Sequence, residues 1–219
     1  MRTQQFIDFC KRELAFDERI SYEYKSLSVC VIDCVYSLRS KYYGVTDRVV
    51  QRYAAQYLGN DMFSPNDTIS DLIEHIQKAG GPAPFAVNIL ENNQQSGRVL
   101  KSEVCLNLAR YLRCLRIETI SDYRSFEEPE LLECVIHSVK GMGDAGTNYL
   151  FMLAGDPNRC KPDVHIHHCI RDACGEALSN EDCQILFNEA VKKLRNDYPN
   201  LTVAMLDGII WRKYQSAKK

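Results

Sequence analysis

Apolar residues recur at intervals of three and four along most of the chain, which is typical of amphipathic helices. In residues 2–15 they fall on one helical face: Phe6, Ile7, Phe9, Cys10 and Leu14. The same periodicity predicts helices over nine further segments: 27–39, 46–58, 68–79, 100–114, 129–139, 146–154, 164–174, 181–196 and 202–214. No segment shows the strict alternation of a β-strand, so the pattern predicts an all-α fold.

Capping residues mark several helix ends. Asp163 and Ser179 stand immediately before predicted helices, where a side-chain oxygen accepts hydrogen bonds from free backbone amides. Gly175 follows one of these helices, as a left-handed cap would. The run Ser64-Pro65-Asn66-Asp67 predicts a turn between two helices.

Composition narrows the class of protein. The chain has 219 residues, 45% of them hydrophobic, which is enough for a substantial core. No apolar run approaches the roughly 20 residues that span a bilayer, so we expect a soluble, cytoplasmic protein without a membrane partner. The net charge of −2 gives no global indication of nucleic-acid binding, and any DNA contact requires a local basic patch.

Two stretches have local basic character, although each is also compatible with a solvated helix face. One lies in the middle of the chain and the other at its C-terminal end. Their members are Arg98, Lys101, Arg110, Arg113 and Arg116, and Arg212, Lys213, Lys218 and Lys219.

The 10 cysteines are scattered, and several lie among apolar residues, which favours buried free thiols over disulfides. The nearest approach to a metal site is the group Cys160, Cys169, Cys174 and Cys183 with His165, His167 and His168. It lacks a CxxC pair or a regular finger spacing, so structural thiols are favoured over a metal. A metal-binding regulatory protein is the alternative that this group keeps open.

A glycine hairpin separates two predicted helices at Gly141-Met142-Gly143. The glycines permit positive φ and close backbone approach, and the next helix begins with free amides that can bind a phosphate oxygen. Such a hairpin holds a nucleic-acid backbone without reading sequence. An ordinary interhelical turn has the same pattern.

Asp163-Val164-His165-Ile166 follows Gly141 by 22 residues, after a loop that ends in Lys161-Pro162. This combination resembles the helix-hairpin-helix motif, Gly/Pro-rich loop and aspartate of the endonuclease III-like DNA glycosylases. The resemblance is specific over about residues 139–170 and weaker over most of the chain from about residue 27. It implies that the hairpin region contacts DNA through Lys140, Gly141, Met142, Gly143, Ala145 and Gly146.

The resemblance also implies that Asp163 is the catalytic carboxylate at the mouth of the base pocket. Cleavage of an N-glycosidic bond develops positive charge on the deoxyribose, which a nearby carboxylate stabilises while it orients water. The alternative is that Asp163 only caps a helix. His165 is expected to pack beside the aspartate, and His167 and His168 are expected on a helix face.

Departures from the family pattern refine the expected chemistry. Relatives that also cleave the strand carry a lysine where this chain has Ala145, which cannot form an imine. The resemblance therefore implies a monofunctional glycosylase, while the nearby Lys140 keeps a lyase activity open as an alternative. The cysteine spacings differ from those of the family's iron–sulfur cluster, so we expect no cluster, metal or organic cofactor.

A glycosylase rotates its target base out of the duplex, and needs a wedge to fill the gap and a pocket for the base. The resemblance places wedge loops at Leu38-Arg39-Ser40 and within residues 92–97, followed by Arg98 and Lys101. The residues expected to contact DNA from these loops are Arg39, Ser40, Asn93, Gln94, Arg98 and Lys101. Aromatic side chains are candidates for the pocket, since every base offers a π-face: Tyr36, Tyr42, Tyr43, Tyr149 and Trp211.

The expected architecture is two α-helical domains flanking a DNA-binding cleft. Residues 30–138 would form a central bundle, and residues 1–29 with 139–219 a discontinuous domain that carries the hairpin and Asp163. The expected partner is double-stranded DNA containing a modified base, bound by a monomer. Alkylated purines, deaminated bases and the hypermodified cytosines of some phage genomes all remain possible substrates, and the last would indicate antiviral defence. A non-catalytic DNA-binding protein with the same hairpin is the alternative.

Overall fold

A computed structural model describes residues 1–16, 24–63 and 67–216. The described part of the chain is mostly helical, which confirms the predicted all-α class. Its helices are α1 Arg2–Glu13, α2 Leu27–Ser37, α3 Asp47–Tyr57, α4 Ile69–Lys78, α5 Pro82–Pro84, α6 Lys101–Cys114, α7 Ile120–Arg124, α8 Pro129–Ser138, α9 Gly143–Leu153, α10 Val164–Cys174, α11 Asn180–Leu194 and α12 Val203–Ser216. Wider π-type turns occupy Tyr42–Thr46 and Phe85–Ile89. Most of the turn predicted at 64–67 and the end of the C-terminal basic stretch, Lys218 and Lys219, lie outside the described residues.

A short antiparallel hairpin that the periodicity did not predict lies between α5 and α6. Its strands are β1 Gln95–Ser96 and β2 Val99–Leu100. The two turn residues, Gly97 and Arg98, have φ of 58° and 66°. Positive φ at both positions matches the twist of a two-residue hairpin turn. Strands of two residues are too short to display alternation, which is why the sequence pattern missed them.

The chain divides into two compact units: Met1–Tyr22 with Gly155–Lys219, here the terminal unit, and Glu23–Ala154, here the central unit. The terminal unit is discontinuous, but its boundary follows α9, whereas the predicted boundary preceded the glycine hairpin. The reason is the packing of α9 on α2, since the thiols of Cys34 and Cys30 donate to the carbonyls of Gly146 and Leu153 at 3.2 and 3.4 Å. The hairpin therefore belongs to the central unit and Asp163 to the terminal unit.

The central unit is built around α2, all of whose residues are buried. A helix that is apolar on every side is stable only when neighbours surround it. Helices α3, α6 and α9 pack against α2 and supply that cover. Asp33 is the exception within this apolar helix, because it is a carboxylate with no exposed surface.

The terminal unit packs α1, α10, α11 and α12 around its own core. Phe6 of α1 meets Phe187 of α11 with ring centroids 5.3 Å apart. The caps act as predicted: Asp163 opens α10, Ser179 opens α11, and Gly175 ends α10 with φ of 73°. None of the described helices is both long and apolar enough to cross a membrane.

Candidate functional site

The glycine hairpin joins α8 to α9 by a tight turn in which the Met142 amide donates to the Val139 carbonyl at 3.0 Å. Gly141 and Gly143 have φ of 106° and 70°, a region that disfavours other residues. Lys140 and Gly143 are exposed, and α9 begins at Gly143 without a side-chain cap. The first amides of α9 are therefore free of a side-chain cap at an exposed turn.

The two glycines have different surroundings. A Cβ at Gly141 would lie 3.0 Å from Val104 Cγ2 and 3.1 Å from the Ser96 carbonyl oxygen, whereas a Cβ at Gly143 would meet nothing within 4 Å. The Ser96 hydroxyl also donates to the Gly141 carbonyl at 2.7 Å. Close backbone approach at Gly141 thus serves packing against the β1–β2 hairpin. Gly143 is the hairpin glycine that faces open space.

Three loops of the central unit meet at this hairpin, and we call them the loop cluster: residues 38–41, 92–98 and 139–143. Ser96 joins the second loop to the third, as just described. Ser40 joins the first to the second, since its hydroxyl donates to Gln94 Oε1 at 3.3 Å. Arg39 and Lys41 of the first loop, Arg98 of the second and Lys140 of the third are exposed. Segments that are distant in sequence therefore present four cations from one set of contacting loops.

Two of these cations belong to residues with positive φ, a backbone conformation that residues other than glycine rarely adopt. Arg39 has φ of 52° and Arg98 has φ of 66°. The left-handed region costs a residue with a Cβ about 1–2 kcal/mol.

Several side chains predicted to contact DNA are buried in the protein instead. Lys101 is only 1% exposed, because its ammonium donates to the Tyr36 carbonyl and to Gln94 Oε1, each at 2.9 Å. It holds α6 to α2 and the second loop, so the prediction that the Lys101 side chain contacts DNA is wrong. Leu38 and Met142 are also buried and lie next to the buried Gly146, which corrects the wedge role expected for Leu38 and the DNA contacts expected for the Met142 side chain and Gly146. Asn93 is exposed and stays a candidate, as does the half-buried Ser40.

A cluster of tyrosines around Asp33 is the site that sequence reasoning missed. The hydroxyls of Tyr24 and Tyr42 each donate to Asp33 Oδ2 at 2.9 Å, and Tyr149 donates to Oδ1 at 3.0 Å. Burial, and then the negative charge of Asp33, raise the pKa of Tyr24 and Tyr42 far above the ordinary value. The hydroxyls are therefore protonated donors, and they fix the orientations of three rings.

The predicted pocket aromatics separate in the structure. Tyr42 and Tyr149 meet at Asp33, and Tyr43, which is 64% exposed, makes a T-shaped ring contact with Tyr42, with centroids 5.6 Å apart. Tyr36 is fully buried and its hydroxyl donates to the Asn92 carbonyl at 3.4 Å, so it lines no accessible pocket. The signal for Asp33 was present in the sequence, as the single charged residue of an apolar helix.

Asp163 caps α10 in the terminal unit. Its Oδ1 accepts hydrogen bonds from the amides of His165 and Ile166 at 2.8 and 3.3 Å. The side chain is half-buried. One carboxylate oxygen is thus held in place by two amides of the helix.

Two residues of α12 lie in the surroundings of Asp163. Trp211 meets His165 edge to face, with ring centroids 6.4 Å apart. Asp207, only 5% exposed, accepts a hydrogen bond from the Lys161 amide at 2.7 Å, two residues before Asp163. Burial raises the pKa of Asp207 well above its ordinary value, and the negative charge of Asp163 raises it further. Sequence reasoning singled out Trp211 but not Asp207.

The position that carries a lysine in strand-cleaving relatives is half-buried Ala145, in the first turn of α9. It offers a methyl group and no amine. Lys140 is exposed on the preceding turn. The side chain at position 145 therefore cannot form the imine that the lysine of strand-cleaving relatives forms.

The Cys/His group forms part of the terminal core. Burial raises the pKa of Cys183 to about 11 and that of Cys169 to about 12, so these thiols are protonated at neutral pH. His167 Nε2 lies 3.1 Å from Asn180 Oδ1, and His168 is exposed. Among the described residues no three His, Cys, Asp or Glu side chains converge in a way that would hold a metal ion.

Comparison with known proteins gives one family. The model of a family described as a domain of unknown function (DUF8548) matches residues 4–216. No curated protein and no solved structure matches the chain.

Proposed function

The chain belongs to the DUF8548 family, and from its own residues we propose that it is a monofunctional DNA glycosylase of helix-hairpin-helix type. In this proposal the central unit grips the DNA backbone through the loop cluster. Asp163 of the terminal unit supplies the carboxylate that supports hydrolysis of the N-glycosidic bond, and an abasic site is left.

The observation that carries the proposal is the loop cluster. Three segments singled out separately by their sequence are joined by Ser40–Gln94 and Ser96–Gly141 hydrogen bonds, and each presents an exposed cation. An exposed glycine turn with uncapped helix amides is suited to a phosphate oxygen, and neighbouring guanidinium groups suit adjacent phosphates. This local basic surface compensates for a chain whose net charge is −2.

Asp163 has the properties that the chemistry needs. Its Oδ1 is fixed by two helix amides at 2.8 and 3.3 Å, so the carboxylate is held before substrate arrives. A preorganised negative charge stabilises an oxocarbenium-like transition state without reorganising during the reaction. The half-buried position reduces solvent screening of that charge.

The tyrosine cluster on Asp33 supports recognition of an unpaired base. Tyr43 and Phe63 are exposed, and the ring of Tyr24 lies 6.2 Å from that of Phe63 at 24°. Bases stack on aromatic rings whatever their sequence. Because Asp33 fixes the hydroxyls of Tyr24 and Tyr42, those two rings are rigid, which lowers the entropy lost on stacking.

The capping of α10 by Asp163 also fits a second candidate, a DNA-binding protein without catalysis. Capping of α10 alone accounts for the placement of Asp163. The two candidates share the loop cluster and differ only in whether a base is released. Base release is therefore the deciding measurement.

We expect base release without strand cleavage. Duplexes carrying alkylated purines, deaminated bases or hypermodified cytosines are incubated with the protein, and released bases are identified by mass spectrometry. Breaks should appear only after alkali, because Ala145 cannot form an imine with the sugar. Release of no base from any duplex that the protein binds would favour the non-catalytic candidate. Borohydride trapping of a covalent adduct, lost in Lys140→Ala, would contradict the monofunctional assignment.

Arg98→Gly should separate DNA binding from stability. Removing one phosphate contact lowers duplex affinity by about tenfold and the slope of log K against log salt by about 1. The free energy of unfolding should rise by about 0.5 kcal/mol, because glycine tolerates φ of 66°. Binding is measured by fluorescence anisotropy over a salt series, and stability by urea unfolding.

Arg116→Gly is the matched control. Arg116 is also an exposed arginine with positive φ, 59°, but it follows the far end of α6, a helix about 21 Å long. Its replacement removes the same charge and relieves the same kind of strain while leaving duplex affinity unchanged. Equal losses of affinity in both variants would show that bulk charge, and not the loop cluster, attracts DNA.

A further inference from the structure

Asp207 has no assigned role, although it is a buried carboxylate beside the candidate catalytic residue. It lies on α12 among apolar residues, and its Oδ1 accepts the Lys161 amide at 2.7 Å. A buried acid that only filled space would cost free energy, since carboxyl groups require hydrogen-bond partners when water is removed. The contact with Lys161 supplies a partner and joins α12 to the segment that leads into α10.

That segment is Lys161-Pro162-Asp163, and it is constrained from several sides. Pro162 is buried and has a fixed φ, and the Asp163 amide donates back to the Lys161 carbonyl at 2.6 Å. Both polar backbone groups of Lys161 are therefore used, the amide by Asp207 and the carbonyl by Asp163. The position of the Asp163 carboxylate follows from the position of the Lys161 peptide.

We infer that Asp207 is a positioning residue, which fixes the Lys161 main chain and through it holds the Asp163 carboxylate at the N-terminus of α10. For its excision measurement the inference rests on the function proposed above. The contact with Lys161 itself is independent of that function.

The charge state of Asp207 suits this role. The titratable groups around it are Asp163 and Lys161 of the same segment and the thiol of Cys160. Burial, and then the Asp163 charge, raise the pKa of Asp207, which favours its neutral form, an acid that accepts the Lys161 amide through an oxygen.

The test compares Asp207→Asn, which keeps a neutral acceptor for the Lys161 amide, with Asp207→Ala, which removes it. Amide hydrogen exchange is followed by NMR in the complete chain. The Lys161 amide should exchange at least about tenfold faster in Asp207→Ala and at the parent rate in Asp207→Asn, because one hydrogen bond contributes about 1.4 kcal/mol here. If Asp207→Ala does not fold, Asp207→Val fills the site without an acceptor. The control is Glu181→Ala, which removes an exposed carboxylate from the first turn of α11. It should leave the exchange rate of the Lys161 amide unchanged.

The second measurement is single-turnover base excision. We expect a loss of about 100-fold in Asp207→Ala, as misplacement of a reacting group by about 1 Å produces, with duplex affinity unchanged. Asp207→Asn should retain most of the rate, a rescue that loss of a carboxylate charge would not show. Unchanged Lys161 exchange in Asp207→Ala, or equal loss of excision in both variants, would overturn the inference. Altered exchange in a protein that excises no base would support the contact and overturn the proposed function instead.

Discussion

Asp163→Asn should lower single-turnover base excision by about a thousandfold while duplex affinity stays the same or rises. The substitution removes the charge that stabilises the developing cation. Asparagine keeps an oxygen at the position of Oδ1, where the His165 and Ile166 amides donate at 2.8 and 3.3 Å. Because Asn is as good an N-cap as Asp, α10 and the fold should persist. Excision is measured at saturating protein, and affinity by anisotropy on the same duplex.

A matched control separates capping from catalysis. Ser179 caps α11 of the same unit by accepting the Asp182 amide at 3.1 Å. Ser179→Ala should destabilise the protein by about 1 kcal/mol and leave the excision rate unchanged. Asp163→Ser should keep the cap and lose excision as fully as Asp163→Asn. A well-folded Asp163→Asn variant that excises at the parent rate would remove Asp163 from the mechanism.

The helices were predictable from the sequence because their apolar faces repeat at the helical period. For α10 the prediction and the structure agree at both ends, since Asp163 and Gly175 carry their own local signals. The short helices α5 and α7 were missed, because three or five residues do not complete enough turns to show a period. The predicted boundary between the two units lay before α9, whereas the structure has it after α9. The difference arises from the packing of α9 on α2, a tertiary contact that the periodicity of the sequence does not reveal.

The candidate site was predictable only where its signal is local. Gly141, Gly143 and Asp163 have chain conformations and caps that neighbouring residues reveal. Lys101 looked like a surface cation, yet the carbonyl that binds it belongs to Tyr36, which is 65 residues away in sequence. Long-range partners of this kind cannot be identified in a single sequence.

The buried acids were missed for a related reason. Asp33 and Asp207 each stand within an apolar helix, where a carboxylate is expected only if partners satisfy it. A single acid in an apolar helix is therefore a signal, but it does not name the partners. Three tyrosine hydroxyls and one backbone amide supply them here.

Gly141→Val should destabilise the protein by about 3 kcal/mol or more, and Gly143→Val by about 1–2 kcal/mol. Both residues have positive φ, which strains any side chain. At Gly141 the added Cβ would also lie 3.0 Å from Val104 and 3.1 Å from the Ser96 carbonyl oxygen, so the β1–β2 hairpin must move. At Gly143 the space is open. Stability is measured by urea unfolding and the hairpin contact by the NMR signals of Ser96 and Gly141.

Because Gly143→Val leaves the fold in place, it is the variant that tests phosphate binding. A β-branched side chain at the exposed start of α9 would block approach to the uncapped helix amides, and duplex affinity should fall by about tenfold whatever the base sequence. The control is Gly59→Val, which has φ of 59° and open space in the same unit but lies after α3, outside the loop cluster. It should lose similar stability and no affinity. Parent-like duplex binding by folded Gly143→Val would mean that the glycine turn only connects two helices, and DNA binding by the loop cluster would then depend on its cationic side chains.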